Sequence, residues 1–461
     1  MPPSVVQFLS LRSPFFWLLF GAVFAFSLLG TYFAGVSPAL ALGIAFFFFS
    51  IALVQEPLSL LIFLVTVRMT LDNLSLYYQI TLRETSFSLS QVLGISILFI
   101  GVLLVITYRK ALAPFPLLLP LTLLILWGGV TFFYSMDSAR TLQEILRLFS
   151  LLTIAFLGYV SIKNREDLRK LIVGLIFASL IPLATATVQY FLGIGLTDSS
   201  IDIARIYGTF AHTNVLALYL YTMLFLVALW WFLFGKNERN PLVLLAISSY
   251  AALAAVLLLL TYTRVAWIAA ILFVFAIALW RYRLLLIPLV VFPILLTLFV
   301  PLIQERVLES FQTNPDSSLV WRRDIWHDVT TRLYYDDRQW LGTGMDTFSE
   351  YAEDLRGVRF GSTDPHNDFV KFFVEGGYVG LAIFALYWIL YGRLILRLMR
   401  QKKSPEWEFF VLFGFFAGTL FLSSLTDNIH KDTPLQWLFL IVFGAALALG
   451  EKQEERLAEK V

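Results

Sequence analysis

Apolar runs follow one another along this chain at about 15–35, 37–55, 57–70, 88–107, 115–134, 142–161, 169–192, 211–234, 241–261, 264–280, 283–301, 367–391, 409–425 and 434–450. Nearly all are long enough to cross the ~30 Å hydrocarbon layer of a bilayer as helices. A soluble domain could not hide them, because 59% of the 461 residues are hydrophobic, only 14% are charged, and the mean hydropathy is +0.79. The runs lack the alternation of barrel strands, and backbone groups in lipid must bond within their own segment, so helices are expected throughout. The predicted fold is all-α: a polytopic membrane helical bundle of about 12–14 transmembrane helices. The third run is short and ends in Arg68, which fits a re-entrant or interfacial piece. Ala39-Leu40-Ala41 mimics a cleavage site, but the run before it is too long and apolar for a signal peptide and reads as an uncleaved anchor.

Positive charge sets the orientation. Fifteen lysines and arginines fall in one set of alternate short connections, among them Arg109, Lys110, Lys163, Arg165, Lys236, Arg281 and Lys402. The opposite set holds five: Arg83, Arg140, Arg205, Arg264 and Lys431. The first set is therefore expected in the cytoplasm, together with both termini. The single long polar stretch then lies outside, which divides the chain into an N-terminal bundle at 1–301, a large extracytoplasmic loop at 302–366, and C-terminal helices with a cytoplasmic tail at 367–461.

Other classes of chemistry drop out. With no cysteine there are no disulfides, thiolate metal sites or cysteine nucleophiles. No basic tract points to nucleic acid. His430 has Asp427 and Asp432 nearby, yet one histidine in a loop is a weak metal signal, and no D-x-D or H-E-x-x-H occurs. No metal or other cofactor is expected.

The large loop is no flexible linker. SLVWRRDIWHDVTTRLYY at 318–335 places Leu319, Arg322, Trp326, Val329 and Leu333 on one stripe of an amphipathic helix, with His327 beside the stripe and solvated. GTGMDTF follows as a turn, and its G-x-G lacks the strand and third glycine of a dinucleotide fingerprint.

Candidate chemistry gathers on the outer side. Arg205 and His212 lie in RIYGTFAHTN, Arg264 closes TYTR, and Arg322 and Arg323 lie in WRRDIW. A single arginine at such a place suits a snorkelling anchor, whereas several forked guanidinium groups together suit a diphosphate. In STDPHNDFVKFFVEGG at 362–377, His366 can cap a helix or act as a general base, since an unperturbed histidine titrates near ~6.5. Glu375 lies on the far face of that helix from His366 and is matched instead to Lys371, four residues earlier. Gly376 and Gly380 form a face for close helix packing. Arg140, Glu144 and Arg147 share a face and form a structural charge ladder. His212 is either a ligand-binding residue or a helix cap.

Together these residues resemble the O-antigen ligase family, which shares a domain with O-antigen and related polysaccharide polymerases. The resemblance covers about 205–391: R-x-x-G-T-F-x-H-x-N at 205–214, T-x-T-R at 261–264, R-x-x-I-W at 322–326 (323 in a shifted register), G-x-G at 342–344, and H-N with E-G-G-x-x-G at 366–380. Thr263 stands where the family usually has serine, and Thr213 where proline is common. The resemblance implies a GT-C-like glycosyltransferase in the bacterial inner membrane, working on its periplasmic face without metal. Its implied donor is a glycan on undecaprenyl diphosphate, and its acceptor a sugar of lipid A-core. His366, Arg264 and Arg322 are implied as catalytic, and Arg205, His212, Asn214, Asn367 and Arg323 as substrate-binding. A polymerase extending a growing glycan would use the same groups. A flippase would show paired repeats and a charged midplane cavity, and an elongation-type transferase would rely on a loop carboxylate such as Asp346, Glu350 or Asp364.

Overall fold

The structure is a computed structural model that describes residues 47, 50–51, 53–73, 79–82, 85–198, 203–301, 303–304, 308, 318–356 and 363–458. The first apolar run, the Ala39–Ala41 stretch and most of the second run lie outside the described residues. Each later run is a helix: α1 Pro57–Leu71, α2 Leu89–Thr107, α3 Leu118–Phe132, α4 Ser138–Ser161, α5 Arg165–Ala178 continued by α6 Leu180–Leu192, α7 Thr213–Leu233, α8 Pro241–Leu260, α9 Arg264–Trp280, α10 Leu286–Phe299, α13 Asp368–Met399, α14 Trp407–Ser423 and α15 Thr433–Ala458. The loop supplies α11 Ser318–Tyr335 and α12 Phe348–Arg356. Two short antiparallel hairpins interrupt the helices, β1 Gln79–Leu82 with β2 Thr85–Ser88, and β3 Leu196–Asp198 with β4 Ile203–Arg205. In the second, Arg205 is held opposite Leu196.

Among the described residues, six helices are long and apolar enough to cross a membrane, and the protein is a multi-pass membrane protein. Phe177, Phe191, Leu284 and Leu298 stay largely exposed on the bundle's flanks. In water such a surface would drive aggregation; against acyl chains it is solvated. The centre is occupied by α7 and α15, where Tyr219, Tyr221, Phe225, Trp437 and Phe443 are buried and Phe225 stacks on Phe416 at 4.1 Å. The short helix α1 is packed within the bundle through Leu60, Leu61, Leu64 and Met69.

Charges mark one end of the bundle. Glu408 takes Lys236 at 3.2 Å and Arg281 at 2.9 Å, and Lys452 donates to the Lys163 carbonyl at 2.7 Å. Connections predicted to share a side of the membrane therefore do meet. The other end, one length of α7 away, carries α11 and α12.

The helix α13 is not one rod. At Gly377 the backbone turns to φ 60°, ψ −160°, a conformation essentially confined to glycine. The turn at 339–344 is stitched into the break, with Tyr378 N–H donating to the Gln339 carbonyl at 2.9 Å and Val379 N–H to that of Trp340 at 3.3 Å. In return, Thr343 N–H reaches the Val374 carbonyl at 3.0 Å and Gly344 N–H that of Glu375 at 2.9 Å. A Cβ on Gly377 would sit 2.2 Å from the Trp340 carbonyl carbon, and one on Gly342 2.3 Å from that of Glu375. The G-x-G turn and the E-G-G run are thus two halves of one backbone joint. Gly376 and Gly380 both face the Trp127 indole, as their spacing predicted.

Two expectations need adjustment, one in the loop and one on α4. The stripe of α11 that is buried runs through Ile325, Val329 and Leu333, packing on Phe348, Tyr351 and Ala352 of α12 and on Val374 of α13. Ile325 belongs to it and Trp326 sits at its edge, because the indole N–H is drawn to the Pro365 carbonyl at 2.6 Å. The Arg140–Glu144–Arg147 ladder is also split, since Arg140 turns to Asp137 at 3.5 Å and leaves Glu144 to Arg147.

Candidate active site

His366 sits where the segment before α13 meets the connection between α14 and α15. Its Nδ1 lies 3.0 Å from Oδ1 of Asp427, 61 residues further on. The imidazole is 15% exposed and the carboxylate 6%. Burial pushes the Asp427 carboxyl up, but the hydrogen bond and charge of His366, then Arg322 and the Asn428 N–H, bring it below the usual carboxylate range. An ionised carboxylate only accepts, so the imidazole proton belongs on Nδ1 and Nε2 is the basic nitrogen. Nothing in the sequence linked these residues, beyond Asp427's place in the polar run before α15.

The backbone at His366 is itself unusual, at φ 47°. Histidine tolerates the left-handed region better than most residues, yet the cost is met only where neighbours fix the chain. Here Trp326 grips the preceding carbonyl, Asn367 N–H donates to Oδ1 of Asn428 at 3.2 Å, and Asn367 Nδ2 donates to the Leu425 carbonyl at 2.9 Å. Asn367, not His366, caps α13, accepting from Phe369 and Val370 N–H at 2.9 and 3.1 Å. An ion pair between Asp364 and Lys431 closes the same two segments together. Burial raises the Asp364 carboxyl, and Lys431 more than offsets it, leaving the group below its ordinary value.

The remaining oxygen of Asp427 accepts from Asn214 Nδ2 at 2.8 Å. Asn214 Oδ1 faces Thr263 Oγ1 at 3.3 Å and Arg205 Nη2 at 3.4 Å. Arg205 is buried, and it also donates from Nε to the Thr261 carbonyl and from Nη2 to Thr263 Oγ1, both at 2.8 Å. The RIYGTFAHTN and TYTR stretches are therefore joined through one guanidinium group. The loop before α7 is anchored below by Gln189, whose amide oxygen takes Tyr207 and Gly208 N–H at 3.0 and 2.7 Å. Tyr262, between the two threonines, is another left-handed residue at φ 51°.

His212 proves to be a cap: its Nδ1 accepts from Asn214 N–H at 3.1 Å. Packing lowers the basicity of the ring, opposed by Asp427 and reinforced by Arg205 and His366, which locates it at the same rim. Arg264 opens α9, half-buried beside Thr263. Arg322 donates to the Thr426 carbonyl at 2.8 Å, one residue from Asp427. Arg323 lies outside this constellation, 76% exposed beside Asp324 at 3.4 Å. Trp321 presents its ring to that of His366 at 6.2 Å.

A second polar cluster lies behind the first and faces inward. His430 Nδ1 is 3.2 Å from Arg147 Nη2, while Arg147 clasps Glu144 through two bonds of 2.6 Å. The imidazole is ringed by Phe372, Phe384 and Tyr387. Burial, with the charges of Arg147 and Lys371, keeps it well below the usual histidine range and hence neutral. His430 N–H also holds Oδ2 of Asp368 at 2.9 Å. The side chains of His430 and Asp427, adjacent enough in sequence to raise a metal reading, are thus engaged in different directions. Lys371 pairs with Glu375 at 2.7 Å, as expected, with Asp346 at 3.8 Å.

The segment that carries this geometry also matches a known protein family. Residues 249–385 match the family model described as O-antigen ligase. A match of that description implies a glycosyltransferase-like enzyme of the O-antigen ligase or related polymerase kind. It runs from within α8 to residue 385 of α13, just past the break at Gly377, and so includes Arg264, Arg322 and His366 but neither Arg205 nor Asp427. No curated protein sequence matches the chain.

Proposed function

We propose that the protein transfers a glycan from undecaprenyl diphosphate to an acceptor sugar, as an O-antigen ligase acting on lipid A-core at the periplasmic face of the bacterial inner membrane. The observation that carries this reading is the His366–Asp427 pair, with Arg322 bonded to the Thr426 carbonyl beside it and Arg264 next in sequence to Thr263, which meets Asn214. An acceptor hydroxyl is far too weak an acid to attack unaided at neutral pH. His366 Nε2 takes its proton as the hydroxyl oxygen bonds to the anomeric carbon of the donor sugar. The bond from that carbon to the diphosphate oxygen breaks, and its electrons leave with the lipid diphosphate. Arg264 and Arg322 stabilise the charge that grows on the departing phosphates. The diphosphate is already a good leaving group, so no strong acid is needed opposite the base. Asp427 keeps Nδ1 protonated and stabilises the imidazolium formed during attack. Of the carboxylates that a loop-acid mechanism would need, Asp364 is engaged by Lys431 and Asp346 stands beside Lys371.

The test is to incubate purified protein with an undecaprenyl diphosphate-linked glycan and offer lipid A-core or a second lipid-linked glycan as acceptor. Product on lipid A-core supports the ligase, and a lengthened lipid-linked glycan supports the polymerase. His366→Ala is expected to bind the donor normally and to lose transfer by roughly 10²–10⁴-fold. Near-normal transfer by a folded His366→Ala protein would overturn the assignment of the base.

A further inference from the structure

Arg205 and Asn214 entered as substrate-binding candidates, but both point inward, toward the base's own partner. Asn214 has one amide with two unlike ends. Its oxygen side faces two donors, Thr263 Oγ1 and Arg205 Nη2, and its nitrogen side faces the Asp427 carboxylate at 2.8 Å. The flipped orientation would set the amide N–H groups against the arginine and the amide oxygen against the carboxylate, so the network admits only one. Arg205 is itself fixed by the Thr261 carbonyl and by Thr263. The result is a continuous hydrogen-bonded line from Arg205 through Asn214 and Asp427 to His366.

We propose that Asn214 is a positioning residue for the His366–Asp427 pair, and that Arg205 acts by fixing the direction of the Asn214 amide. This rests on the reading of His366 as the base. Without the bridge, Asp427 would keep, among the described residues, only His366 and the Asn428 N–H as its hydrogen-bond donors, and its carboxylate could rotate away from Nδ1. The line also ties the base to the TYTR turn, whose last residue, Arg264, is assigned to the donor phosphates. The base is thereby held in register with the group that holds the donor.

The informative change is Asn214→Asp. It is nearly isosteric, and an acid two residues into α7 suits the positive end of the helix, so the protein should fold. It replaces the donated N–H by a second carboxylate facing Asp427. The charged and titratable groups around His366 are Asp364 in its own segment, Asp427 and Lys431 before α15, His212 and Arg205 at the entry to α7, and Arg322 on α11. A negative charge added among them favours the protonated imidazole, so the acid limb of the pH–rate profile should move to higher pH. We expect kcat to fall at least tenfold, with KM for the lipid-linked donor within about twofold of wild type. Asn214→Ala, which adds no charge, should lower kcat similarly without that displacement. Thr263→Val, withdrawing one donor from the amide oxygen, should give a smaller fall of the same kind and serves if the other two variants fold poorly. Wild-type rate and profile in Asn214→Asp, with His366→Ala inactive, would refute the bridge and leave the base standing. Loss of donor binding with kcat retained in Asn214→Ala or Thr263→Val would return Asn214 to the substrate and equally overturn the proposal. An active His366→Ala would remove the reading beneath it.

Discussion

At the scale of residues, the site is a set of polar side chains whose partners are decided in space. Asp427 makes the case. Its carboxylate lies below the ordinary range, so its contribution to the folded site is present above the unfolded carboxyl value near ~3.9 and is lost only as pH falls through the lower, folded one. Asp427 therefore does not supply a rate limb near neutrality. Asp427→Asn keeps the size of the side chain but removes the charge that holds the Nδ1 proton, and should cut kcat by roughly a hundredfold or more while donor binding persists. Steady-state rates beside direct binding of the lipid-linked donor decide it, and an unchanged kcat would show that His366 needs no carboxylate. The motif residues His366, Arg264 and Arg322 were legible because unusual side chains stood out in an apolar chain. The burial of Arg205 was not, since an arginine in a short outer connection looks the same whether it grips a ligand or a threonine.

At the scale of elements, apolar length was enough to locate every described membrane helix, because hydrocarbon admits few alternatives. The break in α13 was harder to see, since the residues around it are apolar or small and the run reads as continuous. Only the paired glycines marked the place, and they also fit close helix packing. Gly377→Ala should separate the two meanings. A Cβ there meets the Trp340 carbonyl carbon at 2.2 Å in a backbone region closed to alanine, so the cost should be ~3 kcal/mol or more. Gly392→Ala, further along α13 with open space around it, should be neutral or mildly stabilising. Thermal melts of the two proteins in detergent give the comparison, and equal melting temperatures would mean that the joint is not needed.

At the scale of the whole molecule, the positive-charge bias and the gathering of Lys236, Arg281 and Glu408 at one end agree with a single threading of the membrane. The chain has no cysteine, so single introduced thiols report cleanly. Tyr335→Cys on α11, 82% exposed, should react with an impermeant reagent on intact cells. Lys402→Cys should react only once the membrane is opened, and the reverse pattern would invert the topology. The site also has an order in time. In chain order His366 precedes α13 and α14 and Asp427 follows them, and the Thr343 and Gly344 N–H groups cannot meet their acceptors until α13 is made. During synthesis the arginines therefore emerge well before the groups that orient the base. On the mechanism proposed above, a chain still short of Asp427 would hold its arginines in the membrane without the proton-accepting pair, so a nascent protein would have no means of transferring a glycan before its final helices are in place.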